Sequence, residues 1–428
     1  MTKNSVILII GLVCFCVMNT FAQSAGVPPT GAPDAASATA EVSASKTSAT
    51  EAEASKTAQS LPEPDRSAED FVRVSLCIAD PGDVLYSILG HACFHLVCPY
   101  YDLDYIFTYE SEPVKGKVFR FLANELKMGL MAMSQEEYLS DYAKEGRGVK
   151  EYRLQLPPEV ETELWRILDE KLAEGIYLKY DYIKRGCAIS VVHCVDDAVK
   201  AANKSQATDY KLEYPEWGAP FKRTLREIFY DNASAGWSLF CCMTLVGGQV
   251  DNPNIPHKEK LICPKELVAT WQQTTISGRP LIADDGKELL PAINEYRGDK
   301  FTPLHASLLI LLLAAASLLW SKPYIDWFVL LVQTLLGALM LWLLLSPLPG
   351  SEWSWLIIPF NPLPAVFWKW HDKWGVYYAV MAALWAMGML LAPHRLVEYA
   401  HIVVAIAFAL VAAKPQIREY ADRHRTAG

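Results

Sequence analysis

From residue 71 onward, short apolar–polar alternations give way to helical stripes and then to long apolar runs. Phe71–Leu76 alternates as a strand does, Pro81-Gly82-Asp83 marks a turn, and Leu89–Cys98 and Tyr105–Tyr109 read as two further strands. Over residues 157–174 the period changes to that of a helix. Pro157 and Pro158 suit its first turn, and Val160, Leu164, Ile167, Leu168 and Leu172 share one face. A second stripe runs over residues 187–202 through Ala188, Val191, Val192, Val195 and Val199. Residues 210–300 are interrupted by Pro, Gly and Trp and show no clear period. The mixture predicts a small α+β domain over residues 67–300.

At residue 303 the pattern changes. Leu304–Trp320, Tyr324–Ser346, Trp374–Ala392 and Val397–Ala413 are apolar runs of about spanning length, with Trp and Tyr at several ends. Between them, residues 353–368 are apolar but carry three prolines and Asn361, so the segment either crosses or dips in and returns. With the preceding domain outside, about five spans place Lys322, Lys369, Lys373, Lys414, Arg418, Arg423 and Arg425 inside, whereas four would put the basic tail outside. The positive-inside rule therefore predicts a transmembrane domain over 301–414 with a basic cytoplasmic tail over 415–428.

The N-terminus has the form of an export signal over residues 1–22: Lys3, an apolar run from Val6 to Met18, and a small-residue cleavage site at Thr20-Phe21-Ala22. An uncleaved anchor is the alternative. Residues 23–66 are rich in Ala, Ser, Thr, Pro and Glu and cannot bury enough surface to offset their ordering entropy, so they read as a disordered leader reaching roughly 35–40 Å. The 428 residues are 52% hydrophobic with a formal net charge of −9. No basic cluster interrupts the middle of the chain, which argues against nucleic acid as a partner. Eight cysteines follow the export signal. An oxidising compartment would allow disulfides, but the spacing selects no pairing, and the absence of any CxxC pair leaves a structural zinc site without support.

Two residues carry the candidate chemistry. Cys187 follows Gly186 where a helical stripe begins, and a helix N-terminus or a neighbouring imidazolium favours the thiolate. His91 follows Gly90 on a strand, so its ring projects from a rigid element. Each also has a plainer reading, because buried Cys and strand His are common packing residues. His91, Cys93 and His95 alternate on one strand face and form a rival metal constellation, with no fourth ligand nearby. Cys241-Cys242 reads as core, and His193 and Cys194 as support for the Cys187 helix.

The motifs resemble those of the Lnb-type lipoprotein N-acyltransferases of Bacteroidetes. The resemblance rests on Tyr86-Ser87-Ile88-Leu89-Gly90-His91, on Tyr180-Asp181-Tyr182 leading to Cys187, and on Leu245–Pro253 followed by Pro264-Lys265-Glu266-Leu267. Phe360-Asn361-Pro362 lies among the apolar segments, and the resemblance covers residues 70 to about 415. The chain departs from the family pattern at Gly186, where Asn is usual, and at Ala188 and Ile189, which precede Ser190.

The resemblance implies a permuted papain-like (NlpC-like) periplasmic domain, similar to the lecithin:retinol acyltransferase group, followed by an α-helical transmembrane bundle. It implies acyl transfer through a thioester on Cys187 with His91 as base, a membrane phospholipid as acyl donor and a diacylated lipoprotein as acceptor. It calls for no cofactor and no metal. Asp104 and Tyr109, on the next strand, are the candidates to orient the imidazole. The expected location is the bacterial inner membrane, multi-pass, with the N-terminal domain in the periplasm. The rival readings are a membrane-anchored cysteine peptidase acting on peptidoglycan, and a non-catalytic membrane scaffold.

Overall fold

The computed structural model describes residues 71–114, 116–215, 223–233, 236–293, 300–320, 323–363 and 398–425, together with scattered positions between 376 and 387. The expected export signal, the leader over 23–66 and most of the apolar run 374–392 lie outside the described residues.

The expected first strand is β1 (Arg73–Ala79), and it is followed by β2 (His91–Cys98) and β3 (Leu103–Ser111). Then come α1 (Val118–Leu122), β4 (Lys127–Ser134), α2 (Gln135–Glu145), β5 (Val149–Arg153), α3 (Pro158–Glu174), β6 (Leu178–Lys179) and α4 (Cys187–Gln206). The strands form a seven-stranded antiparallel sheet in the order β10-β5-β1-β2-β3-β4-β6, where β10 is Lys287–Leu290. A small sheet joins β7 (Leu212–Glu213), β8 (Thr275–Ile276) and β9 (Arg279–Pro280). Between β7 and β8 lie α5 (Leu225–Asn232), α6 (Trp237–Leu245) and α7 (Pro264–Trp271).

The two helices expected from periodicity cover one face of the large sheet. Pro158 in the first turn and acidic residues beside it suit the start of α3, and Gly175 in the left-handed conformation ends it. Helix α4 buries Ala188, Val191, Val192, Val195 and Val199 against α3 and β2. Its stripe joins Val74, Leu76, Phe94 and Phe107 in the main core. The opposite face carries a smaller core of Cys77, Cys93, Ile106, Val149 and Tyr138, the last contributed by α2.

The C-terminal part is helical: α8 (Pro303–Leu319), α9 (Tyr324–Leu345), α10 (Tyr399–Ala412) and α11 (Lys414–Arg425). Among the described residues one helix, α9, is long and apolar enough to cross a membrane. Helix α10 together with Lys414–Arg423 would make a second span, bent by 57°, and α8 is a shorter apolar helix. Of the segment 353–368, the described part is not a regular helix. It holds a single 3-10 turn at Trp355–Ile357 and presses on Gly337, where an added Cβ would lie 2.5 Å from the Pro362 nitrogen. Phe360 and Asn361 are buried there, and the Asn361 side chain donates to Ile358 O at 2.8 Å and accepts from the Leu363 N–H at 3.2 Å. Protein thus covers this non-helical backbone, which is the condition under which a membrane-spanning region tolerates it.

Sheet domain and helices are joined by specific contacts. The Leu122 carbonyl accepts from Trp342 Nε1 at 3.3 Å and from the Ser346 hydroxyl, and Asn124 donates to Pro347 O at 3.2 Å. The Gly247 N–H donates to Gly350 O at 2.6 Å. Any side chain on Gly247 would strike the Ser354 backbone at 2.7 Å, so the paired glycines are what allow the approach. Thr244 pairs with His401 Nε2 at 2.8 Å, and Phe240 stacks on the same imidazole at 4.2 Å. At the far end, Arg418 donates to the carbonyls of Ser317, Leu318 and Trp320, and Lys414 pairs with Asp326 at 2.6 Å.

The glycine turn is held from below by a buried ion pair. Arg226 Nε meets Asp251 Oδ1 at 2.6 Å, and its Nη2 donates to Val246 O. Removing one partner of a buried pair strands the other charge and costs about 3–5 kcal/mol. Asp251→Ala is therefore expected to lower the thermal midpoint of the purified protein by several degrees, read by circular dichroism against wild type.

Candidate active site

Cys187 and His91 meet at one end of the sheet. Cys187 is the first residue of α4, where N–H groups have no intrahelical acceptor. Gly186 precedes it in extended conformation and supplies no side-chain cap; a Cβ there would lie a tight 3.1 Å from Tyr182 O. His91 opens β2 behind Gly90, whose φ of +89 and whose closeness to Ala79 O (2.6 Å from an added Cβ) both demand glycine. The Gly-His pair of the sequence is therefore a backbone requirement at the point where the imidazole leaves the sheet.

The imidazole is engaged on both sides. It is in hydrogen-bond contact with the Cys187 thiol. Its Nε2 lies 2.6 Å from Thr108 Oγ1 and 3.5 Å from Glu110 Oε1, and the Thr108 hydroxyl donates to Glu110 at 3.0 Å. With the threonine proton committed to Glu110, the Thr108 oxygen accepts from Nε2–H. Nδ1 is then the nitrogen left for the thiol.

These contacts set the charges. Burial pushes the Cys187 thiol up, but the facing His91 charge and hydrogen bond, with the Ala92 and Ala188 N–H groups, outweigh it and bring the thiol below its ordinary value. Burial alone would lower His91, yet the charges of Cys187 and Glu110 and the hydrogen bond to Cys187 raise it to about 10. The contact therefore favours the thiolate–imidazolium form of the pair over what either residue would show alone.

The two residues expected to orient the imidazole do not touch it. Asp104 pairs instead with His95 Nε2 at 2.9 Å, and the Tyr109 hydroxyl meets Cys194 Sγ at 3.2 Å. The partners of His91 are Thr108 and Glu110. The reason is register: Phe94 opposes Phe107 and His95 opposes Ile106, so the same register carried back along β2 brings Glu110 opposite His91. Asp104 shares that sheet face but lies opposite Val97, and Tyr109 faces the main core. The alternation of β3 marks Thr108 and Glu110 as one face, but only strand register selects them.

The expected trio His91, Cys93 and His95 does share a strand face, yet it does not converge. Cys93 lies against Cys77, and the nearly buried His95 is gripped between Asp104 and Glu151, the latter at 2.6 Å from Nδ1. His193 faces Glu259 at 3.5 Å, and Cys194, Cys241 and Cys242 are buried, as their packing roles require. No disulfide joins any of the eight described cysteines.

Cys187 lines an apolar pocket of about 950 Å³, including the space open to solvent. Its lining includes Gly90, Gly186, Leu89, Phe121 and Leu245, together with Leu348 in the loop after α9. A thiol shifted toward its thiolate in an apolar cavity suits attack on a carbonyl whose remainder is hydrocarbon, with first-turn N–H groups available to a developing oxyanion.

A pH dependence follows. The rate of Cys187 alkylation by iodoacetamide, followed by mass spectrometry of the modified peptide, is expected to rise through a midpoint below the ordinary thiol value. His91→Ala removes the stabilising charge, so the midpoint moves to higher pH and the neutral-pH rate falls at least tenfold. Glu110→Gln shifts it in the same direction by less.

Against known proteins, residues 66–224 match the family described as the Lnb N-terminal periplasmic domain. No curated protein and no solved structure matches the chain. The matched segment contains His91, Thr108, Glu110 and Cys187 and spans just over a third of the chain, so the likeness to that family is one of this domain.

Proposed function

We propose that the protein is a lipoprotein N-acyltransferase of the bacterial inner membrane. The observation that carries this reading is the contact of Cys187 with His91, which favours the thiolate, in an apolar pocket whose lining includes Leu348 of the loop after a membrane-length helix. In the proposed first step, Cys187 Sγ attacks the ester carbonyl of a phospholipid. The C–O bond breaks, His91 gives a proton to the departing lysolipid hydroxyl, and a thioester remains. In the second step, the α-amino group of the N-terminal cysteine of a diacylated lipoprotein attacks that thioester. The C–S bond breaks, an amide forms, and His91 takes up the amine proton, restoring the ion pair. N–H groups at the start of α4 stabilise the oxyanion in both steps. Thr108 and Glu110 hold the ring so that Nδ1 faces the thiol.

This reading includes a permuted papain-like fold for residues 67–300 and a multi-span domain for 301–414, with the sheet domain in the periplasm. It needs no cofactor. The apolar lining of the pocket favours a lipid over a peptidoglycan stem peptide, which is polar and charged, so the peptidase reading ranks second.

The test is expression in a bacterium depleted of its own lipoprotein N-acyltransferase, with the mass of one abundant lipoprotein's N-terminal lipopeptide as the readout. Wild type is expected to add one acyl chain, and Cys187→Ala is expected to add none while reaching the membrane at the same level. Transfer by the alanine variant would end the thioester mechanism; cleaved muropeptides without a lipid product would favour the peptidase.

A further inference from the structure

A second polar cluster lies on the same sheet face as His91, apart from the thiol. Its members come from three adjacent strands. Cys77 of β1 stands opposite Glu151 of β5, and His95 of β2 is opposite Ser75, two residues along β1 on the same face. One donor atom from each of Cys77, His95 and Glu151 lies within 4.8 Å of the others. Cys77 and His95 are buried, so the sulfur and the ring cannot be solvated where they stand. The second ring nitrogen of His95 is held by Asp104 at 2.9 Å. A carboxylate on the far nitrogen is the arrangement that fixes the tautomer of a metal-ligating histidine and makes it a better donor.

The geometry points to a divalent transition-metal site made by Cys77 Sγ, His95 Nδ1 and Glu151 Oε1, with Asp104 orienting the imidazole. Thiolate, imidazole and carboxylate together suit zinc and disfavour magnesium or calcium, which take oxygen donors alone. Three protein ligands leave the fourth tetrahedral position to water. The 2.6 Å contact between His95 and Glu151 is a proton-bridged one. With bonds of about 2.0–2.3 Å to a central ion, the ligand atoms stand roughly 3.4 Å apart, so the ion takes the place of that proton and parts the two side chains by less than an ångström.

The exchange balances. One proton leaves the imidazolium and one leaves the Cys77 thiol as the dication enters, so the cluster, Asp104 included, keeps the same net charge. The way in runs past the carboxylates: the Asp104 and Glu151 side chains are 54% and 16% exposed. A bound ion would tie β1, β2 and β5 together four residues from His91, stiffening the strand that carries the imidazole without touching the thiol.

The test uses the full chain purified in detergent, loaded with zinc and then desalted. Metal content is measured by plasma mass spectrometry, and cobalt(II) serves as the spectroscopic probe. About one zinc per chain is expected in wild type and equally in Cys187→Ser, with a thiolate-to-cobalt charge-transfer band in both. Cys77→Ser and Glu151→Gln are expected to lose the band and the zinc while keeping the wild-type circular dichroism. Asp104→Asn is expected to keep the band but weaken affinity about 10–100-fold. No zinc in the loaded wild type would overturn the site and leave the cluster as an ion pair. So would a band that survives Cys77→Ser and disappears in Cys187→Ser. Acyl transfer is not the readout, so failure of the acyltransferase reading leaves this test standing.

Discussion

Everything at the site depends on how α4 lies across the sheet. Its apolar stripe leaves it one way to pack against β2 and α3, and that packing brings its first residue to the strand that starts with His91. Burial by itself would quench the chemistry, because it disfavours both the thiolate and the imidazolium. The two charges offset each other's desolvation, and the free N–H groups of the first turn add to the thiolate's side. Each charge favours the other where it stands. The lowered thiol pKa is therefore a property of the helix–strand contact and not of the cysteine alone.

That dependence decides what the sequence could reveal. Gly90-His91 and Gly186-Cys187 are legible because each glycine marks a backbone event, one a left-handed turn and the other a helix start. The stripes of α3 and α4 are legible because their periods are uninterrupted. β4 and β5 are not: Lys127–Ser134 has a glycine and methionines in place of alternation, and Val149–Arg153 is five residues long. Thr108 and Glu110 were out of reach for another reason. Which residue of β3 opposes His91 is set by strand register, a long-range quantity that no local pattern encodes. An acidic residue and a tyrosine on the right strand were visible, but Asp104 and Tyr109 answer to His95 and Cys194.

The C-terminal helices repeat the lesson on a larger scale. The run that became α9 is continuous and was readable at once. Residues 353–363 were ambiguous in sequence because prolines and Asn361 break the helical ladder, and the chain resolves this by tucking the broken backbone against Gly337. The same small-residue logic operates at Gly247, where the sheet domain meets the loop after α9.

The bonds from Leu122 and Gly247 to that loop have a mechanical result. They tie the sheet domain to the loop at two points, and so set the spacing between the thiol and the end of α9. On the proposed reading such a mount would act as a ruler: a carbonyl would reach Cys187 only at the depth the mount sets, and the same functional group at another depth would pass unread.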